Sequence, residues 1–197
     1  MAVDIAPPCV LLAGGLARRM GGGDKPLRLL HGRPLLDHVI ARVAPQCRAL
    51  VLNANGDPVR FGGGLPVIAD TLPGSLGPLA GVLAGMRWAA AHHPGASHLL
   101  SVPTDTPFLP HDLAVRLGAG RGACPLACAA SGGRIHPVVG LWQMSLADDL
   151  EAWLRGGGRR ADRWTALHGV AVVEFSGAPD PFLNLNTPDD LAWAELL

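Results

Sequence analysis

Residues 10–13, Val-Leu-Leu-Ala, form an apolar run that stops abruptly in the loop Gly14-Gly15-Leu16-Ala17-Arg18-Arg19-Met20-Gly21-Gly22-Gly23-Asp24-Lys25. A buried strand ending in such a loop constrains the fold around it. Glycine adopts turns that a side chain blocks, so several backbone N–H groups can converge on one anion. Arg18, Arg19 and Lys25 supply positive charge beside them. The loop reads as a cradle for a nucleoside triphosphate, against the alternative of a solvent loop merely rich in glycine and charge. Two better-known glycine motifs do not fit. A P-loop needs Gly-Lys-Ser/Thr opening a helix, whereas Lys25 lies between Asp24 and Pro26. A dinucleotide fingerprint needs Gly-x-Gly-x-x-Gly, which Gly14-Gly15-Leu16-Ala17-Arg18 does not supply.

Further apolar runs alternate with helix-like segments, which predicts an α/β fold: a three-layer, Rossmann-like, predominantly parallel sheet with helices on both faces. Strands are expected at residues 10–13, 49–52, 65–69, 98–102, 123–130, 137–142 and 170–175. Helices are expected at 34–43 and 78–91, where apolar residues recur at 3.6-residue spacing, and at 146–154. Thr187-Pro188-Asp189-Asp190 starts a terminal helix, with Thr187 as N-cap and acids in the first turn. Four strands end in polar residues: Gly14-Gly15, Asn53, Asp70 and Asp105. Ligands of open α/β sheets bind beyond the carboxyl ends of the strands, so these residues are expected at one rim.

Nearly half of the 197 residues are apolar, which excludes a disordered chain, and the length suits one domain over 1–197. Formal net charge is zero, which removes the usual electrostatic attraction to nucleic acid or an anionic membrane surface. No run approaches the roughly 18 apolar residues of a membrane span. Residues 1–8 lack the layout of a signal peptide, so a cytoplasmic location is expected. Cys9, Cys47, Cys124 and Cys128 read as reduced thiols, since neither a CxxC pair nor zinc-ligand spacing is present.

Asp105, between Pro103 and Pro107, is placed either to hold Mg²⁺ through its carboxylate or to cap a helix around residues 111–117. No Ser-His-Asp pattern or catalytic cysteine is evident. His136 reads as a packed or capping histidine.

Leu12 to Lys25 resembles the nucleotidyltransferase signature Leu-Ala-(Gly/Ala)-Gly-x-x-x-Arg-Met-Gly-x-x-Lys, with one additional residue between Gly15 and Met20. The Leu-Ala-Gly-Gly form, with Gly77-Pro78-Leu79-Ala80-Gly81, Asp105 and Asn184-Leu185-Asn186-Thr187-Pro188, is similar to the molybdenum cofactor guanylyltransferase family. The resemblance spans residues 10 to about 191 and implies transfer of GMP from GTP to the terminal phosphate of molybdopterin. The N-terminal part would then bind GTP and the C-terminal part molybdopterin. It implies GTP contacts from Leu12, Ala13, Gly14, Gly15, Lys25, Asn53, Asp70, Gly77, Pro78, Leu79 and Asp105, with Mg²⁺ on Asp105. Lys25, Asp105 and Arg19 would be catalytic, though Arg19 is as readily a solvated surface arginine. Asn184 and Asn186, with Arg159 and Arg160, would face molybdopterin. Contacts with the molybdenum-inserting protein and the acceptor apoenzymes are implied in the same way. A cytidylyltransferase acting on molybdopterin, or an enzyme with another phosphorylated acceptor, is the neighbouring alternative. A nucleotide-binding adaptor without catalysis is disfavoured because Lys25 and Asp105 are both present.

Overall fold

Strand β1 (Pro8–Leu12) is buried at every position, as a strand covered on both faces must be. The computed structural model describes residues 6–14 and 24–197. β1 pairs in parallel with β4 (Ala49–Asn53) on one side and β6 (His98–Pro103) on the other. β4 passes to a short parallel edge strand, β5 (Val67–Ile68). Beyond β6 lies β8 (Arg134–Gln143), antiparallel both to β6 and to β7 (Leu126–Ser131). β7 in turn pairs in parallel with β9 (Val170–Phe175). The seven-stranded order is β5-β4-β1-β6-β8-β7-β9. Two very short strands, β2 (Leu29–Leu30) and β3 (Arg33–Pro34), form a separate hairpin.

The mostly parallel α/β sheet expected from the apolar pattern is present, with β8 running against its neighbours. A parallel return needs a crossover of a dozen or more residues, whereas Gly132-Gly133 joins β7 to β8 directly. Both glycines have positive φ, 53° and 77°, the conformation a two-residue hairpin turn demands.

Helices α1 (Leu35–Val43) and α3 (Leu113–Gly120) cover one face with Leu36, Val39, Leu113 and Leu117. The other face carries α2 (Pro78–His92), α4 (Ala147–Arg155) and α5 (Ala161–His168), anchored by Leu83, Met86, Leu150 and Trp164. No helix among the described residues is long and apolar enough to cross a membrane. α2 lies unusually close to the sheet: a Cβ on Gly85 would come within 2.6 Å of Val10 Cβ. α5 is an element that the apolar pattern did not reveal, because only Ala161, Trp164 and Thr165 of its eight residues are buried. α6 (Pro188–Ala194) starts where expected, and Thr187 and Asp190 complete a reciprocal capping box.

The register fixes which ends share a rim. Leu12 is level with Asn53 and Pro103, Asn53 with Ile68, and Ser131 with both Arg134 and Phe175. The carboxyl ends of β1, β4, β5, β6, β7 and β9 therefore gather with the start of β8.

Ser101, fully buried on β6, ties the antiparallel half to the parallel half. It accepts from Trp142 Nε1 at 2.6 Å and donates to the Val138 carbonyl at 2.7 Å. Ser101→Ala leaves the buried Trp142 indole N–H without its acceptor and takes a donor from the Val138 carbonyl, so urea denaturation should show a loss of about 1–3 kcal/mol.

Candidate active site

Where β1, β4 and β5 end, a cleft of about 580 Å³ opens. Leu12, Ala13 and Gly14 form one wall, Asn53 and Asn55 with Asp70 a second, and Ser75 to Pro78 the entrance to α2. Asn53, almost fully buried, donates its amide to Asp70 Oδ1 at 3.0 Å and to the Ile68 carbonyl at 3.3 Å. Asn55 donates to Asp70 Oδ2 at 2.8 Å and accepts from the Asp70 backbone N–H at 2.9 Å. The side chains beyond β4 and β5 are thus locked to each other before any ligand arrives.

α2 presses directly on this lock. A Cβ on Gly81 would lie 2.3 Å from Asn53 Oδ1 and 2.7 Å from Leu12 Cδ2. Gly77, just before the helix, has φ +80°, which a side chain would strain. The glycines of the Gly77 to Gly81 segment are therefore needed for backbone geometry and for the close approach of helix to cleft wall.

A second cluster lies beyond β6. Thr104 donates both its backbone N–H and its hydroxyl to the Leu12 carbonyl, each at 3.2 Å, which pins the loop after β6 to the end of β1. The next residue, Asp105, receives Lys25 Nζ on Oδ2 at 2.5 Å and Asn184 Nδ2 on Oδ1 at 3.1 Å. Its main-chain oxygen accepts from Leu185 N–H at 3.0 Å. Lys25 also donates to Asn186 Oδ1 at 2.5 Å. A strap between β9 and α6 therefore carries Asn184 and Asn186 onto the lysine and aspartate. Asp190 secures its far end by accepting from the backbone N–H groups of Asn186 and Thr187, both at 2.8 Å.

Most of the residues expected at the site are here. Leu12, Ala13, Gly14, Asn53, Asp70, Gly77 and Pro78 line the cleft, and Lys25, Asp105, Asn184 and Asn186 form the adjoining cluster. Leu79 does not line the cleft: its side chain is fully buried in the core beneath it, because the second helical position turns it toward the sheet. The capping alternative for Asp105 also fails, since α3 begins at Leu113 after Asp112. Gly15 and Arg19 lie outside the described residues. Arg159 and Arg160 are tied locally instead of to the strap. Arg159 donates to the carbonyls of Leu154 and Gly158, and Arg160 pairs with Asp162 at 2.5 Å.

Several site residues carried no sequence signal that was read. Asn55 continues the Asn53-x-Asn55 spacing past a strand end. Asp24 and Arg60, which also line the cleft, form an ion pair at 3.0 Å. Arg60 further donates to the Asn55 carbonyl at 2.7 Å, bracing that wall.

The two buried thiols, Cys9 and Cys128, are poorly suited to act as nucleophiles. Burial pushes Cys128 up to about 12 and Cys9 well above the ordinary thiol range. Burial also lowers the His136 pKa, the neighbouring Asp180 charge opposing it in part.

Lys25 and Arg60 gathered with the carboxylates of Asp24, Asp70 and Asp105 beside a cleft suit transfer of a phosphate-linked group without a covalent enzyme intermediate. Residues 9–170 match the family model of the MobA-like NTP transferase domain, which makes the chain a nucleotidyltransferase by class. It is 58% identical to the molybdenum cofactor guanylyltransferase of Rhodopseudomonas palustris (strain BisB5), over 99% of this chain and 95% of that protein. The counterpart from Bradyrhizobium sp. (strain ORS 278) is 56% identical, over 98% and 93%. In fold, the chain superposes on molybdopterin-guanine dinucleotide biosynthesis protein A from Archaeoglobus fulgidus with a TM-score of 0.77. That match has 24% identity and covers 96% of this chain and 97% of the other. The chain belongs to the molybdenum cofactor guanylyltransferase family.

Two outcomes follow from this geometry. Gly81→Ala forces Asn53 or Leu12 aside, so unfolding should show a loss of about 1–3 kcal/mol, with weaker nucleotide binding by calorimetry. The second concerns Asp190, whose carboxyl is held below its usual range, first by the Asn186 backbone N–H. A lowered folded-state pKa stabilises above the unfolded value, about 3.9, and that contribution disappears as pH falls through the folded value. The stability gap between wild type and Asp190→Ala should therefore be present at neutral pH and close in strong acid.

Proposed function

We propose that the chain transfers GMP from GTP to the terminal phosphate of molybdopterin in its molybdenum-loaded form. A phosphate oxygen of the acceptor forms the new bond to the α-phosphorus, the α–β phosphoanhydride bond breaks, and pyrophosphate leaves. The observation that carries this reading is the Lys25–Asp105–Asn186 cluster, joined through Thr104 to the wall of a cleft of nucleotide size.

Both reactants are anions, so the barrier is mainly repulsion and alignment. In this reading the cleft walls from Leu12 to Gly14, Asn53 and Asp70 hold the nucleotide, with Gly77 and Pro78 at its mouth. Lys25 lies at the border of the two clusters, where its ammonium group can meet phosphate oxygens. Gly15 and Arg19 extend the cradle, as the family signature implies. Asn184 and Asn186 hold the acceptor on the strap side, and Arg159 and Arg160 face its phosphate. Hand-over from the molybdenum-inserting protein and to apoenzymes belongs to the same reading.

The donor chemistry suits Mg²⁺. Two side-chain oxygens, Asp105 Oδ2 and Asn186 Oδ1, already converge on one positive charge, the Lys25 ammonium group. Magnesium takes one or two carboxylates and fills its shell with water and substrate phosphates. Among the described residues no group of three or more His, Cys, Asp or Glu side chains could hold a metal, so water and substrate phosphates would have to complete the shell. Asp105 would hold the ion, which when bound supplies charge neutralisation at the phosphates.

The test is pyrophosphate release with Mg²⁺, molybdenum-loaded molybdopterin and each of the four NTPs. Release with GTP alone is expected; release with CTP instead overturns the base assignment, and release with none overturns the acceptor. Asp105→Ala should remain folded and lose activity by about 10²-fold or more.

A further inference from the structure

The near end of the strap is fastened by a polar cluster that the reaction itself does not use. Ser131, the last residue of β7 and 3% exposed, lies within 2.8 and 2.9 Å of the two Asp180 carboxylate oxygens. Its hydroxyl also lies 2.9 Å from His136 Nε2. Both contacts of the hydroxyl are satisfied at once when His136 Nε2–H donates to Ser131 and Ser131 donates to Asp180. Asp180 Oδ1 additionally accepts the Phe182 backbone N–H at 2.8 Å, and the Asp180 carbonyl accepts Leu183 N–H at 3.1 Å. One carboxylate therefore holds a strand end and the first turn of the strap together.

We propose that Asp180 is a positioning residue for the acceptor substrate, acting through Ser131 to set the register in which the strap presents Asn184 and Asn186. This inference rests on the proposed reading of those asparagines as the acceptor side. Asn184 lies four positions after Asp180, so the anchor acts over a short lever. Attachment of the strap does not depend on it. Phe182 and Leu185 are 1% and 0% exposed, and Phe182 packs against Phe175 and His136 with ring centroids 5.3 and 4.9 Å apart. Those two side chains keep the strap on the core, while Asp180 governs how the intervening backbone is turned. Loosening that turn disturbs the Asn184 and Leu185 bonds to Asp105. It leaves the Asn53–Asp70 wall of the nucleotide cleft, on the other side of β1, untouched.

Asp180→Ala, Ser131→Ala and Asp180→Asn are compared with Asn184→Ala in steady-state assays that vary molybdopterin and GTP separately. The expected result is a rise of about five- to tenfold in KM for molybdopterin with Asp180→Ala and Ser131→Ala, with a clearly smaller rise in KM for GTP, which shares only the Asp105 end of the disturbance. Asp180→Asn retains an acceptor oxygen and should recover most of the loss. Hydrogen exchange at the Leu185 amide should quicken in Asp180→Ala and not in Asp180→Asn. If Asn184→Ala raises KM for molybdopterin while the Asp180 and Ser131 variants leave it unchanged, the positioning role is overturned and the acceptor reading stands. If Asn184→Ala itself leaves that KM unchanged, the acceptor reading falls and the positioning role falls with it. Equal rises in both KM values overturn the positioning role in favour of general structural damage. Should Asp180→Ala fail to fold, Ser131→Ala decides by the same criteria.

Discussion

Asp105 joins segments from opposite ends of the chain at the site. Its side chain takes Lys25 from a segment 80 positions earlier and Asn184 from 79 positions later, while its main chain takes Leu185. The preceding threonine fastens the same loop to the end of β1. A lone carboxylate at a half-buried rim is costly unless charge and hydrogen bonds answer it. Lys25 and Asn184 answer it, and in doing so they draw the Lys25 segment and the strap to one place. Segments far apart in the chain meet at this rim because one side chain needs partners from both.

The cleft at the ends of β1, β4 and β5 depends on a different constraint, closeness. Gly81 and Gly85 let α2 settle onto Leu12, Asn53 and Val10 at distances that no side chain permits. That contact sets where the amide of Asn53 can go, and Asn53 then orders Asp70. Packing in the core and polarity in the cleft are thus one problem at this position. A residue change that seems to concern only the helix interior reaches the ligand surface in a single contact.

Much of this could be read from the chain because the decisive patterns are local. Apolar runs ending in Gly14, Asn53, Asp70 and Asp105 placed the rim, and the spacing of Leu79, Val82, Leu83 and Met86 placed α2. The same spacing should have warned that Leu79 faces the core, since it shares a helical face with Val82, Leu83 and Met86. What stayed hidden arises between distant segments. Asp24 meets Arg60, and Asp180 meets Ser131 across 49 positions. Neither pairing leaves a periodic trace. α5 was illegible for another reason: its short buried face offers too few apolar positions to establish a period. The direction of β8 was equally undetermined, because an apolar run reads the same both ways until its turn is seen.

That reversed strand has a consequence for how such a sheet can vary. An all-parallel sheet offers only strand ends at its ligand rim, each followed by a crossover that must return beneath the sheet. Turning β8 around puts a tight hairpin, Gly132-Gly133, on the same rim. A hairpin tip can lengthen or shorten without disturbing any crossover. The molecule thus combines a rigid socket, built by β1, β4 and β6, with a neighbouring wall whose height is free to change.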